Sequence, residues 1–270
     1  MKLSFEIPFN YLKTFSKYTD YNFVLAHNLS NKKYFDFYKN SKKFTILDNS
    51  AFELSSPIEG EELLDLVQRL KPDLVIAPDV MGSCEETLEK VEKFIMLVER
   101  KKIKIKIGGV LQGKNINEYL MCYHLYKFCK NIEMICIPFD VPFNVYDLKS
   151  NSETNQWMLN RVSFLRYLEE KRLIVREKKY HLLGASNPIE ILFYGGILLD
   201  LSMDTSSPIV HGANGVLFTE KGLPGEKIKE KLDFNMNLNR KQINDIIFNI
   251  KKMKFWSSFV DLKKGGNEWK

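Results

Sequence analysis

Three short apolar runs in this chain each stop on an aspartate: Phe44-Thr-Ile-Leu-Asp48, Leu74-Val-Ile-Ala-Pro-Asp79 and Leu198-Leu-Asp-Leu-Ser-Met-Asp204. Short runs rich in Val, Ile and Leu and bounded by turn residues read as strands buried on both faces. In parallel α/β sheets ligands bind beyond the carboxyl ends of the strands, so carboxylates there are placed for chemistry. The three aspartates are therefore expected to converge on one mouth, beside Asn49-Ser50, Gln112-Gly113, Gly184-Ala-Ser186 and Thr205-Ser-Ser207. Two carboxylates at such a mouth suit glycosyl chemistry, one attacking an anomeric carbon while the other carries a proton to and from the leaving group. A third aspartate with a glutamine offers an acceptor and a mixed donor and acceptor. That set suits a guanine-like edge, whose N1–H and N2–H donate and whose O6 accepts.

Eight short apolar runs are candidates for the strands that must carry these residues: 22–27, 44–48, 73–78, 104–111, 132–137, 179–184, 199–204 and 215–218. Between them lie helical patterns at Glu61 to Leu70, Glu85 to Glu99, Ile116 to Cys129, Gln156 to Glu170 and Ile189 to Tyr194. Strands alternating with helices, eight times, predict an α/β (β/α)8 TIM barrel as a single domain over residues 1–270. Ser83-Cys-Glu-Glu86 reads as a capping box, and Asn187-Pro-Ile-Glu190 and Ser56-Pro-Ile-Glu59 as caps with Pro at the first helical position. With those caps assigned, Asp48, Asp79 and Asp204 are not needed to start helices; satisfaction by loop amides is the competing explanation for them. The longest connection, Pro138 to Lys178, follows the fifth strand and is placed to cover the mouth. Lys241 to Met253 reads as a basic C-terminal helix with Ile243, Ile246, Ile247 and Ile250 on one face, followed by a basic tail at Lys263-Lys264.

A chain of 270 residues with 44% hydrophobic content can bury a large core. No run approaches the roughly 18 apolar residues of a membrane span, and no leader pattern opens the sequence, so a cytoplasmic protein with no membrane partner is expected. Cys84, Cys122, Cys129 and Cys136 form no CxxC pair, which predicts neither a metal site nor a disulfide framework. The net charge of +6 is modest, but Lys101-Lys-Ile-Lys-Ile-Lys106, Arg172 to Lys179 and Lys251-Lys-Met-Lys254 are clustered. Taken singly they read as solvated faces; together they fit phosphate contacts on a nucleic acid, with Arg161, Arg166, Lys251 and Lys252 as candidate contacts. Phe52 and Phe139 are candidates to stack on a base or to pack in the core. His27 and His181, at the ends of expected strands, read as structural, and His124 and His211 have no evident partner.

The order Asp48-Asn-Ser-Ala-Phe-Glu53, Pro78-Asp79, Gly108-Gly-Val-Leu-Gln-Gly113, His181-Leu-Leu-Gly184 and Met203-Asp204-Thr-Ser-Ser resembles the tRNA-guanine transglycosylase superfamily. It is most similar to the compact branch, encoded largely by phages and mobile elements, that inserts 7-deazaguanines into DNA. The likeness spans roughly residues 20–220. It implies Asp204 as the nucleophile at C1′ and Asp48 as the general acid/base. It also implies a base pocket of Asp79, Gln112, Gly113, Ser50 and Gly184. Neighbouring carboxylates spread their pKa values, which leaves one as an acid.

The expected substrates are then DNA and a free 7-deazaguanine base, with no cofactor, in a bacterial or phage-infected cytoplasm. A second copy or a modification-complex partner is compatible with this. Two features depart from the tRNA enzymes. No cysteine cluster follows Cys136 to build their C-terminal zinc site, and Asp48-Asn-Ser-Ala replaces their Asp-Ser-Gly-Gly-type motif. Both departures favour DNA; tRNA-directed exchange and a non-catalytic nucleic-acid-binding subunit remain the alternatives.

Overall fold

A computed structural model describes residues 1–197 and 200–261. Eight strands form one sheet in the order β1-β8-β7-β6-β5-β4-β3-β2, and every pairing with a described register is parallel. The strands are β1 (Lys2–Phe5), β2 (Asn22–Leu25), β3 (Thr45–Asp48), β4 (Leu74–Ile76), β5 (Lys106–Val110), β6 (Ile132–Pro138), β7 (Lys179–Leu183) and β8 (Leu201–Thr205). Helices α1 (Leu12–Phe15), α2 (Lys32–Lys39), α3 (Ala51–Leu54), α4 (Gly60–Leu70), α5 (Cys84–Arg100), α6 (Ile116–Phe128), α7 (Glu153–Glu170), α8 (Ser207–Ala213) and α9 (Arg240–Asp261) are interleaved with them. The architecture is a (β/α)8 barrel.

Burial explains the sequence pattern. β2, β3, β4 and β8 are buried at every residue; the runs of β3 and β4 are apolar through their centres, whereas β8 buries Ser202 and Asp204 between Leu201, Met203 and Thr205. α4 buries Leu63, Leu64, Leu66, Val67 and Leu70 on one face, carries Glu61 and Glu62 in its first turn, and stops where Lys71 turns left-handed at φ 58°. Ser83, Asn115 and Ser152 accept backbone N–H groups at the starts of α5, α6 and α7.

The chain divides into two compact units. The first comprises Met1–Thr19, Pro138–Glu177 and the chain from Leu182 onward. It contains β1 paired with β8, Ser4 standing beside Asp204 in register, and it contains α9 packed on α8. The second comprises Asp20–Ile137 and Lys178–His181, and holds the parallel run β2 to β6. In that unit Gly109 allows β5 and α6 to approach closely, since a Cβ there would sit 2.8 Å from the Tyr126 ring.

Several expectations are corrected. The segment 215–218 is not a strand: Phe218 donates its N–H to Asn249 Oδ1 and stacks on Trp256, so its backbone is used by α9 rather than by a ladder. The strand missing from the expected set is β1, whose Lys2 and Ser4 leave no two apolar residues adjacent and which pairs with β8. Ile189 to Tyr194 belongs to a 3-10 helix, Pro188–Tyr194, capped by Asn187. Ser56 does not cap α4, which starts four residues later at Gly60 behind Glu59; the Ile58 N–H instead bonds the Asn49 carbonyl. His27 lies beyond the end of β2, in a 3-10 turn. The buried face of α9 runs through Ile246, Ile250, Met253 and Trp256, with Ile243 and Ile247 on its flank. Leu199, which headed the seventh expected strand, and Lys263-Lys264 lie outside the described residues.

Candidate active site

In the second unit the ends of β3, β4 and β5 are tied into one polar row. Asn49, the residue after β3, donates its Nδ2 to the Ala77 carbonyl at 2.7 Å and to Asp79 Oδ1 at 2.7 Å. Gln112, just past β5, donates Nε2 to the other oxygen, Asp79 Oδ2, at 2.7 Å, and its Oε1 accepts the Gly82 N–H at 2.9 Å. Both oxygens of a buried carboxylate thus accept side-chain amide N–H groups, which fixes the carboxylate plane and leaves it an acceptor. Asn49 stands at the expected mouth, but the sequence alone assigns it no role. Its signal was present in Asp48-Asn-Ser, but its partners lie 28 and 30 residues away.

Asp48 ends β3 and accepts the Ser50 N–H on Oδ2 at 2.8 Å, so a loop amide does hold part of this carboxylate. Ser50 adopts φ 61° and is fully buried, with its Oγ accepting the His27 N–H at 3.2 Å. The Ser50 hydroxyl therefore links the β2 and β3 ends. Gly113 lies against α6, where a Cβ would come within 2.6 Å of Glu118 Cβ. Cys84 Sγ and Cys122 Sγ lie 3.1 Å apart as free thiols, and burial pushes the Cys122 thiol up.

In the first unit Asp204, near the end of β8, is 3% exposed and accepts the Gly184 N–H on Oδ1 at 3.2 Å. Gly184 takes φ +63°, a left-handed conformation natural to glycine, and its α-carbon faces Phe139. The turn is gripped from behind. Arg161 on α7 donates Nη1 to the Leu183 carbonyl at 2.9 Å and Nη2 to the Gly184 carbonyl at 2.8 Å. Its remaining donors meet Glu190, whose Oε2 also accepts the Tyr194 hydroxyl at 3.1 Å. Burial opposes the Arg161 charge, yet the Glu190 carboxylate and Tyr194 prevail and its pKa is raised. Burial, reinforced by Glu190, pushes Tyr194 far up, which keeps it a donor.

Arg161 is therefore corrected as a phosphate contact. Its side chain is 0% exposed, and a guanidinium sealed among carbonyls and Glu190 cannot reach a strand. Arg166 is likewise committed, donating to Glu169 and to the carbonyls of Phe193 and Gly195. Lys251 is exposed on α9; Lys252 pairs with Glu220 and lies over Trp256. His181 is buried and stacked on Phe23. His211 Nε2 accepts the Ile228 N–H, so its proton sits on Nδ1 facing the Ser207 carbonyl, and burial lowers its pKa. Both histidines have structural surroundings.

The structure thus brings together Asp48, Asn49, Ser50, Asp79 and Gln112 in one unit, and Asp204, Gly184 and Arg161 in the other. Among the described residues no group of three or more His, Cys, Asp or Glu could hold a metal ion, and no helix is long and apolar enough to cross a membrane. Compared with known proteins, the chain matches no family model and no curated protein.

Proposed function

We propose that the chain is a base-exchange enzyme of the tRNA-guanine transglycosylase superfamily, which replaces guanine in DNA by a 7-deazaguanine precursor. The observation that carries the reading is the setting of Asp204. It is a buried carboxylate near the end of a barrel strand, oriented by the Gly184 N–H, on a turn whose carbonyls are clamped by a buried guanidinium. A nucleophile that must reach one carbon needs that degree of preorganisation.

In this reading an Asp204 oxygen attacks C1′ of the target nucleoside as the C1′–N9 bond breaks, and guanine leaves with a proton supplied by Asp48. The incoming 7-deazaguanine gives its N9 proton to Asp48, N9 bonds to C1′, and the Asp204 ester bond breaks to restore both carboxyl groups. No electron acceptor, water or nucleotide triphosphate enters the balance. Asp79, its plane held by Asn49 and Gln112, accepts the N1–H and N2–H of the base. The target base must leave the stack to reach these groups.

The test is a covalent complex on denaturing gels with guanine-containing DNA and, separately, tRNA, together with incorporation of labelled guanine. Asp204→Asn is expected to lower incorporation by at least about 10³-fold. Asp79→Asn is expected to weaken discrimination among bases more than it weakens folding. A complex with tRNA alone moves the substrate from DNA to RNA. Undiminished exchange in Asp204→Asn, or no Asp204-dependent complex with either nucleic acid, refutes the mechanism.

A further inference from the structure

A lysine that no sequence motif marks stands beside the Asp204 turn. Lys227 Nζ lies 4.1 Å from the centroid of the Phe139 ring, and Phe139 is both the residue after β6 and the neighbour of the Gly184 α-carbon. The Phe139 ring meets Trp157 edge to face at 5.7 Å, and Lys229 Nζ lies 5.9 Å from the Trp157 centroid. Two half-buried rings and two ammonium groups therefore adjoin on one unit of the chain. The segment that carries the lysines is fastened to the start of α7. Glu226 accepts both the Thr154 N–H and the Thr154 hydroxyl, and the Lys227 N–H donates to Thr154 Oγ1 at 2.8 Å.

Among the described residues no ion pair or hydrogen bond engages Lys227 Nζ. Glu190, the carboxylate that acts most strongly on it, already serves Arg161 and Tyr194. Burial lowers the Lys227 pKa to about 8, against the pull of Glu190, Glu6 and Asp140 and with the push of Arg161. An ammonium held in place, partly desolvated and not neutralised by contact is costly unless an anion completes it. Rings beside it provide faces on which bases stack whatever their identity.

We infer that Lys227 binds a backbone phosphate of the nucleic-acid strand next to the target nucleotide, with Phe139 and Trp157 as the stacking surface for an adjoining base. This rests on the base-exchange reading for the identity of the strand, but its test does not need turnover. In an Asp204→Asn background, binding of a fluorescent single-stranded guanine-containing oligonucleotide is measured by anisotropy across salt and pH. One lost phosphate contact flattens the salt slope by about 0.7, which is a loss of about fivefold at 0.1 M salt for Lys227→Met. Because only the ammonium binds, the Lys227 form is expected to lose affinity as pH rises through about 8 and beyond. Lys227→Arg is expected to keep it at pH 9.5, since its charge does not titrate there.

Unchanged affinity and slope in Lys227→Met, with the variant's melting profile intact, overturn this inference and leave the exchange mechanism standing. A Lys227-dependent stabilisation by inorganic phosphate alone, with oligonucleotide affinity unchanged, also overturns it by making the site one for free phosphate. Lys227-dependent binding without any exchange in the Asp204 protein supports the inference and refutes the mechanism.

Discussion

Replacing Arg161 by methionine removes a cation of similar length while leaving its partners buried. Glu190 then loses its counter-charge inside the protein, and the Leu183 and Gly184 carbonyls lose the donors that Arg161 supplied at 2.9 and 2.8 Å. Breaking a buried pair by removing one member costs about 3–5 kcal/mol, because the remaining charge is uncompensated. Against a typical total of about 5–15 kcal/mol, such a loss is large enough to move a urea midpoint by more than 1 M at the usual slopes. The Tyr194 hydroxyl still donates to Glu190 and softens the penalty, so the lower half of the range is expected at pH 7. Pairing Arg161→Met with Glu190→Gln removes the stranded charge as well, and the double variant should lie well short of the sum of the singles. Urea unfolding followed by fluorescence and circular dichroism measures all four proteins. Hydrogen exchange at the Gly184 amide, the donor to Asp204, should quicken in Arg161→Met as its turn loosens. A cost below about 1 kcal/mol, or strictly additive singles, would refute the clamp.

Two further outcomes test other parts of the packing. Gly109→Ala should cost about 1–3 kcal/mol, since its Cβ would enter the Tyr126 ring at 2.8 Å, and a urea midpoint unmoved from that of the parent would show β5 and α6 to be farther apart than described. Lys227 should make the protein more stable as pH rises from about 8 to about 10.5. The folded state there holds fewer protons than the unfolded state, because the Lys227 pKa falls from 10.5 to about 8 on folding. The gain is about 1–3 kcal/mol after allowance for partial exposure, and it should vanish in Lys227→Met; equal pH slopes for the two proteins contradict the burial.

The amino-acid sequence by itself determined the parallel barrel, because strands buried on both faces are rich in Val, Ile and Leu and the helices between them follow a 3.6-residue period. Seven of the eight expected runs are strands at close to their expected places. The carboxylates at the end of β3, beyond β4 and near the end of β8 were legible for the same local reason. β1 was not, since Lys2 and Ser4 break the pattern and only pairing with β8 makes Lys2–Phe5 a strand. Polar partnership was not legible either. Arg161 and Arg166 look alike on one helix, yet Arg161 is sealed against Glu190 and the Gly184 turn, and Arg166 is partly exposed against carbonyls farther along the chain. Asn49, Gln112 and Lys227 likewise acquire their roles from groups about 30 residues away or more. Hydrogen bonding and desolvation depend on what tertiary packing brings within about 3 Å, and that distance is not written in local sequence order.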